Sequence, residues 1–64
     1  MLLREFNLIG PLALSRLLGI SRNMVYRMVR HRKIPFNRVG SLIKFEVRDI
    51  VTWWEANKVT AVGA

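Results

Sequence analysis

The chain is punctuated once, sharply, at Gly19-Ile20-Ser21, and that break limits what it can become. Ahead of it Leu14, Leu17 and Leu18 recur at i, i+3 and i+4, the spacing of one helix face. Gly10-Pro11 opens this helix, because a proline at the first helical position gives up only an amide that would be unpaired anyway. Gly19 closes it with a left-handed cap, and Ile20 fills the corner that follows. Ser21 then starts a second helix, its hydroxyl placed to accept from the amide of Asn23 or Met24. A short apolar helix, a tight turn and a second helix form a helix-turn-helix layout.

The second helix has two sharply different faces. At about 100° per residue, Val25, Met28 and Val29 gather on the side expected to be buried. Asn23, Arg27 and Arg30 gather opposite, with Arg22 and Tyr26 at one edge, and the helix is expected to end near His31 or Arg32. The charge pattern gives those arginines their meaning. The net charge is +7, from 11 Lys and Arg against 4 Asp and Glu. No acid lies between Glu5 and Glu46, whereas Arg16, Arg22, Arg27, Arg30, Arg32, Lys33, Arg38 and Lys44 all do. Small soluble domains usually intersperse both signs, so a section with one sign only reads as a surface for a polyanion, nucleic acid first. Asparagine and arginine are also the side chains whose donors and acceptors match adenine and guanine edges in the major groove. Arg22 and Tyr26 are better placed for phosphates.

Other classes lack their parts. With 64 residues and no cysteine, the chain can hold one domain and cannot staple it with disulfides or thiolate-bound metal. Its stability has to come from dense apolar burial, which a hydrophobic content of 52% permits. His31 is the single histidine and has no acid near it in sequence, no spacing suits a metal, and no glycine loop suits a nucleotide. The expectation is therefore a protein that is not an enzyme, with no cofactor and no metal. The longest uncharged stretch, residues 6–15, is far short of the ~20 residues that span a bilayer, and the N-terminus is not a signal peptide. A cytoplasmic location with no membrane partner is expected.

The remaining chain completes a domain around the two helices. Residues 1–9 read as an N-terminal arm lying against it, residues 10–57 as the domain, and residues 58–64 as a flexible tail. Lys33-Ile34-Pro35 is a turn, since proline forces its predecessor out of helical geometry. Residues 36–39 and 42–45 read as two strands around Gly40-Ser41, a pair that suits a type II′ hairpin. In that register Phe36 faces Phe45, Asn37 faces Lys44, Arg38 faces Ile43 and Val39 faces Leu42, with Phe36, Ile43 and Phe45 turned inward. Arg38 and Lys44 flank the tip as a basic wing. Residues 46–57 form the last helix, with Val47, Ile50, Val51 and Trp54 as its buried stripe and Trp53 beside it, only partly covered. Glu46 and Asp49 fall in its first turn, where the helix dipole favours them. The expected fold is α+β, a small winged helix-turn-helix of three helices with a two-stranded β-hairpin wing between helices 2 and 3.

The run Leu17-Leu18-Gly19-Ile20-Ser21-Arg22-Asn23-Met24-Val25-Tyr26-Arg27-Met28-Val29-Arg30, then Lys33-Ile34-Pro35, Arg38-Val39-Gly40 and Asp49-Ile50 with Trp53, resembles the excisionase-type winged helix. This MerR-like group includes phage excisionases, AlpA-like regulators and the DNA-binding ends of some small terminase subunits. The resemblance covers residues 12–54 and implies a double-stranded DNA binder, with its second helix in the major groove and its wing against the neighbouring minor groove or backbone. Ser21, Arg22, Asn23, Tyr26 and Arg27 match the DNA-facing positions of that helix, and Arg38 and Lys44 those of the wing. Arg30 joins them from its place on the same face. Three departures stand out: Leu14-Ser15 where the family often has two alanines, Arg32 where it has glycine, and no long helix after Trp54. The last implies neither coiled-coil dimerisation nor a small-molecule effector. The expected role is that of an excision factor that binds and bends attachment-site DNA, with a recombinase and neighbouring copies of itself as protein partners. A small transcriptional regulator and a packaging module use the same domain, and an adaptor that binds protein through Trp53 and the arm is the reading from another class.

Overall fold

The computed structural model describes residues 7–60. Its elements run β1 (Leu8–Ile9), α1 (Pro11–Leu18), α2 (Arg22–Arg30), β2 (Asn37–Val39), β3 (Leu42–Glu46) and α3 (Val47–Ala56). This is the expected three-helix α+β architecture, with the hairpin between the second and third helices. The start of the arm, residues 1–6, and the end of the tail, residues 61–64, lie outside the described residues.

Local chemistry sets the helix ends. Pro11 is in the first turn of α1, and Gly19 closes that helix at φ 70°, a backbone geometry that costs glycine nothing. Ser21 caps α2, its Oγ accepting from the Met24 amide at 3.1 Å. The end of α2 is the less ordinary one. Arg32 adopts φ 55°, the left-handed region that favours glycine. Its amide donates to the Val29 carbonyl at 3.0 Å, and the Lys33 amide donates to the Met28 carbonyl at 2.8 Å. That pair of bonds is the Schellman pattern, so the corner closes as a glycine would close it. A side chain in the left-handed region costs about 1 kcal/mol, which these two capped carbonyls offset.

Leu14, Val25, Val29, Ile34, Phe45 and Ile50 form the buried core, drawn from the three helices, β3 and the loop after α2. Ile9, Leu18, Ile20, Met28, Phe36, Ile43 and Trp53 pack around it, half-buried. Ser15 is buried as well, and its hydroxyl donates to the Leu12 carbonyl at 2.7 Å, so the polar atom is satisfied. The α2 face reads as expected. Two stripes read from the sequence need correction. Leu17, placed in the buried stripe of α1, is 61% exposed. On α3, Val51 and Trp54 are exposed and Trp53 is the indole against the core, so the helix is turned relative to its expected phase. The Trp53 Nε1 donates to the Lys33 carbonyl at 2.8 Å, which ties α3 to the corner after α2.

β2 and β3 pair antiparallel as expected, Asn37 with Lys44, Arg38 with Ile43 and Val39 with Leu42. Gly40 has φ 61° and Ser41 is not at positive φ, the sign pattern of a type II′ turn. The sheet has a third strand that the sequence reading lacked. The end of the arm, β1, pairs with β3 through Leu8 with Glu46 and Ile9 with Phe45, giving the order β1-β3-β2. The Val47 amide then donates to the Asn7 carbonyl at 2.9 Å. Two residues gave no alternation to read, and the pairing satisfies backbone N–H and C=O groups at the edge of β3. Glu46 ends β3 and precedes α3, so Asp49 is the one acid in the first helical turn.

Candidate nucleic-acid interface

The α2 face opposite Val25 and Val29 carries Asn23, Arg27 and Arg30, all exposed. Arg22 and Tyr26 are exposed along one edge, and Met24 lies at the other. Among the described residues, the guanidinium groups of Arg22, Arg27 and Arg30 have neither a hydrogen-bonding nor an ionic partner. Three unpaired guanidiniums on a helix of nine residues leave their donors free for an outside acceptor. Ser21 sits at the head of the same helix. Its oxygen lone pair serves the cap, which leaves its hydroxyl proton for a partner.

The wing stands beside this face. Alternation along the strands puts Asn37, Val39, Leu42 and Lys44 on one side of the hairpin and Arg38, Ile43 and Phe45 on the other. Arg38 and Lys44, read as a pair of flanking cations, therefore point to opposite sides of the wing. Arg38 is exposed and Lys44 is half-buried. β1 is too short to cover the whole of β3, so the edge at residues 42–44 is open. Pro11, Tyr26, Ser41, Leu42, Ile43 and Lys44 border a shallow groove of about 190 Å³ along that edge. Tyr26 from α2 and Lys44 from the wing thus meet on one surface. Pro11, Leu42 and the groove itself were missed by the sequence reading. The register that placed Leu42 on the same side as Lys44 was the one signal for it.

A second surface has the opposite character. Leu17, Leu18, Ile50, Val51 and Trp54 border a groove of about 240 Å³ between α1 and α3. It follows directly from the turned phase of α3, and it moves the exposed indole from Trp53 to Trp54. His31 is exposed at the end of α2, and no cluster of metal-ligating side chains exists among the described residues. None of the helices described is long and apolar enough to cross a membrane.

A capped second helix with an exposed basic face, a tight glycine turn before it and a hairpin beside it define a small winged helix-turn-helix protein. Residues 13–58 match the helix-turn-helix domain family, and the chain belongs to it. That family includes excisionase-like DNA-binding proteins, is typically non-enzymatic and implies DNA as the partner. No curated protein and no solved structure gives a match to this chain.

Proposed function

We propose that this protein is an excision factor, binding and bending double-stranded DNA at attachment sites to direct a site-specific recombinase. The observation that carries the DNA reading is the continuity of the exposed, acid-free α2 face with the wing through Tyr26 and Lys44. Asn23, Arg27 and Arg30 read base edges in the major groove. Ser21, Arg22 and Tyr26 hold phosphates beside them, and Arg38 and Lys44 grip the backbone on either side of the wing. The excision role is supported by the family, which includes excisionase-like proteins, and by the close run of residues from Leu17 to Arg30. A recombinase and neighbouring copies on DNA are the protein partners this role calls for, in the cytoplasm.

Footprinting on the DNA flanking its own gene tests the role. Protection at sites beside a recombinase's attachment sequence, together with a rise in excision when the protein is added to that recombinase, is the expected result. Protection confined to a promoter, with no effect on recombination, would replace the excision role by transcriptional regulation.

A further inference from the structure

The tip of the wing is apolar where a phosphate-gripping hairpin has no need to be. Val39 and Leu42 are direct cross-strand partners on either side of the Gly40-Ser41 turn, so their side chains stand together on one side of the hairpin. They are 61% and 59% exposed. Neither belongs to the core or to the residues packed around it. Lys44 shares their side of the hairpin, and Leu42 and Lys44 both border the groove that reaches Tyr26. The hairpin itself, residues 37–45, contains no acid.

We infer that Val39 and Leu42 form an apolar wedge that enters the minor groove of duplex DNA and partly unstacks one base step. Aliphatic side chains used this way open a step and kink the duplex toward the major groove, at a cost repaid by the extra contact the bend allows. The arrangement supplies both requirements. Two opposed aliphatic side chains make a blunt, dry tip, and a two-residue turn keeps it narrow. Lys44 on the same side and Arg38 on the other straddle the tip, so its entry brings a cation toward each phosphate strand. β-propensity alone would favour such residues at a hairpin end, but it is met equally by threonine, which would not leave two aliphatic side chains facing water. The inference rests on the DNA-binding reading and adds to it the means of bending.

Ligase-driven closure of random-sequence fragments of about 100 base pairs tests it, because DNA shorter than its persistence length of ~150 base pairs closes poorly unless bent. Binding is followed on the same fragments by gel shift. At saturation the full chain is expected to raise circle yield about tenfold, and Val39→Ser with Leu42→Ser to remove most of that gain while weakening binding less than about threefold. Leu42→Met, which keeps an apolar tip, should retain the gain. Lys44→Ala should do the reverse of the serine pair, losing affinity but not circle yield once saturated. Equal circle yield from the serine pair and the unaltered chain would overturn the wedge, as would binding by the unaltered chain with no gain in closure. Absence of any binding to duplex DNA would instead bring down the DNA reading, and the wedge with it.

Discussion

α2 and α3 are both short amphipathic helices against the same core, yet they differ in what flanks their buried residues. On α2, Val25, Met28 and Val29 occupy one sector with Met24 and Tyr26 at its edges, and the four other positions are Arg or Asn, so the rotation that buries the valines is the one that keeps the charges in water. On α3, Val47, Ile50, Val51, Trp53 and Trp54 spread over nearly half the circumference, and several rotations bury a comparable area. A hydrogen bond decides among them. The Trp53 indole reaches the Lys33 carbonyl and Trp54 is left over the end of α1. A stripe flanked by charge reports its own orientation, whereas one that runs on into two indoles takes it from a polar contact elsewhere in the chain.

Removing each indole of α3 in turn separates the two helices most strongly. Trp53→Ala should lower stability by about 2–3 kcal/mol, somewhat below a fully buried tryptophan because its edge meets water, with the loss read as a drop in melting temperature. Trp54→Ala should cost less than about 1 kcal/mol, since its ring is largely in solvent already. Equal losses would mean that the phase of α3 is wrong.

On α2 the corresponding test is functional. Arg27→Ala should leave the fold intact and cost ~1–3 kcal/mol on a specific site, blurring base preference there, while Lys44→Ala weakens all sequences alike. Equal loss on specific and random DNA for Arg27→Ala would take the base-reading role from this face. Smaller effects belong to the two ends of α2. Ser21→Ala should cost about 1 kcal/mol through the lost cap, measured by chemical denaturation. Arg32→Gly should raise stability by about 0.5–1 kcal/mol by relieving the left-handed backbone, and it should weaken DNA binding at the same time if that cation faces phosphate. A destabilised Arg32→Gly would contradict the strained corner.

Much of this molecule could be read before its structure was seen, for reasons that are local. Glycine at Gly19 and Gly40 accepts the left-handed backbone that other residues avoid, Ser21 offers a capping oxygen and Pro11 fixes φ, so the helix ends and the hairpin register follow from single residues. Arg32 could be marked as the odd position, but whether it would be strained or avoid the left-handed region depended on bonds to Met28 and Val29. What stayed hidden needed contacts distant in sequence. Leu8–Ile9 became a strand only against Phe45 and Glu46, and the choice of Trp53 over Trp54 needed the Lys33 carbonyl. The α2 members of the candidate site could be proposed from the sequence because Asn23, Arg27 and Arg30 fall on one face at helical spacing with no acid near them in the chain. The groove joining Tyr26 to the wing was not, because it exists only where β1 stops short of covering β3.

If the α2 face and the wing together form a phosphate-binding surface, binding to duplex DNA must depend steeply on salt. With about 4–6 phosphate contacts, log affinity should fall against log salt concentration with a slope of about −4 to −5, reduced by about one unit in Lys44→Ala. A flat response, with affinity unchanged between low and physiological salt, would contradict it.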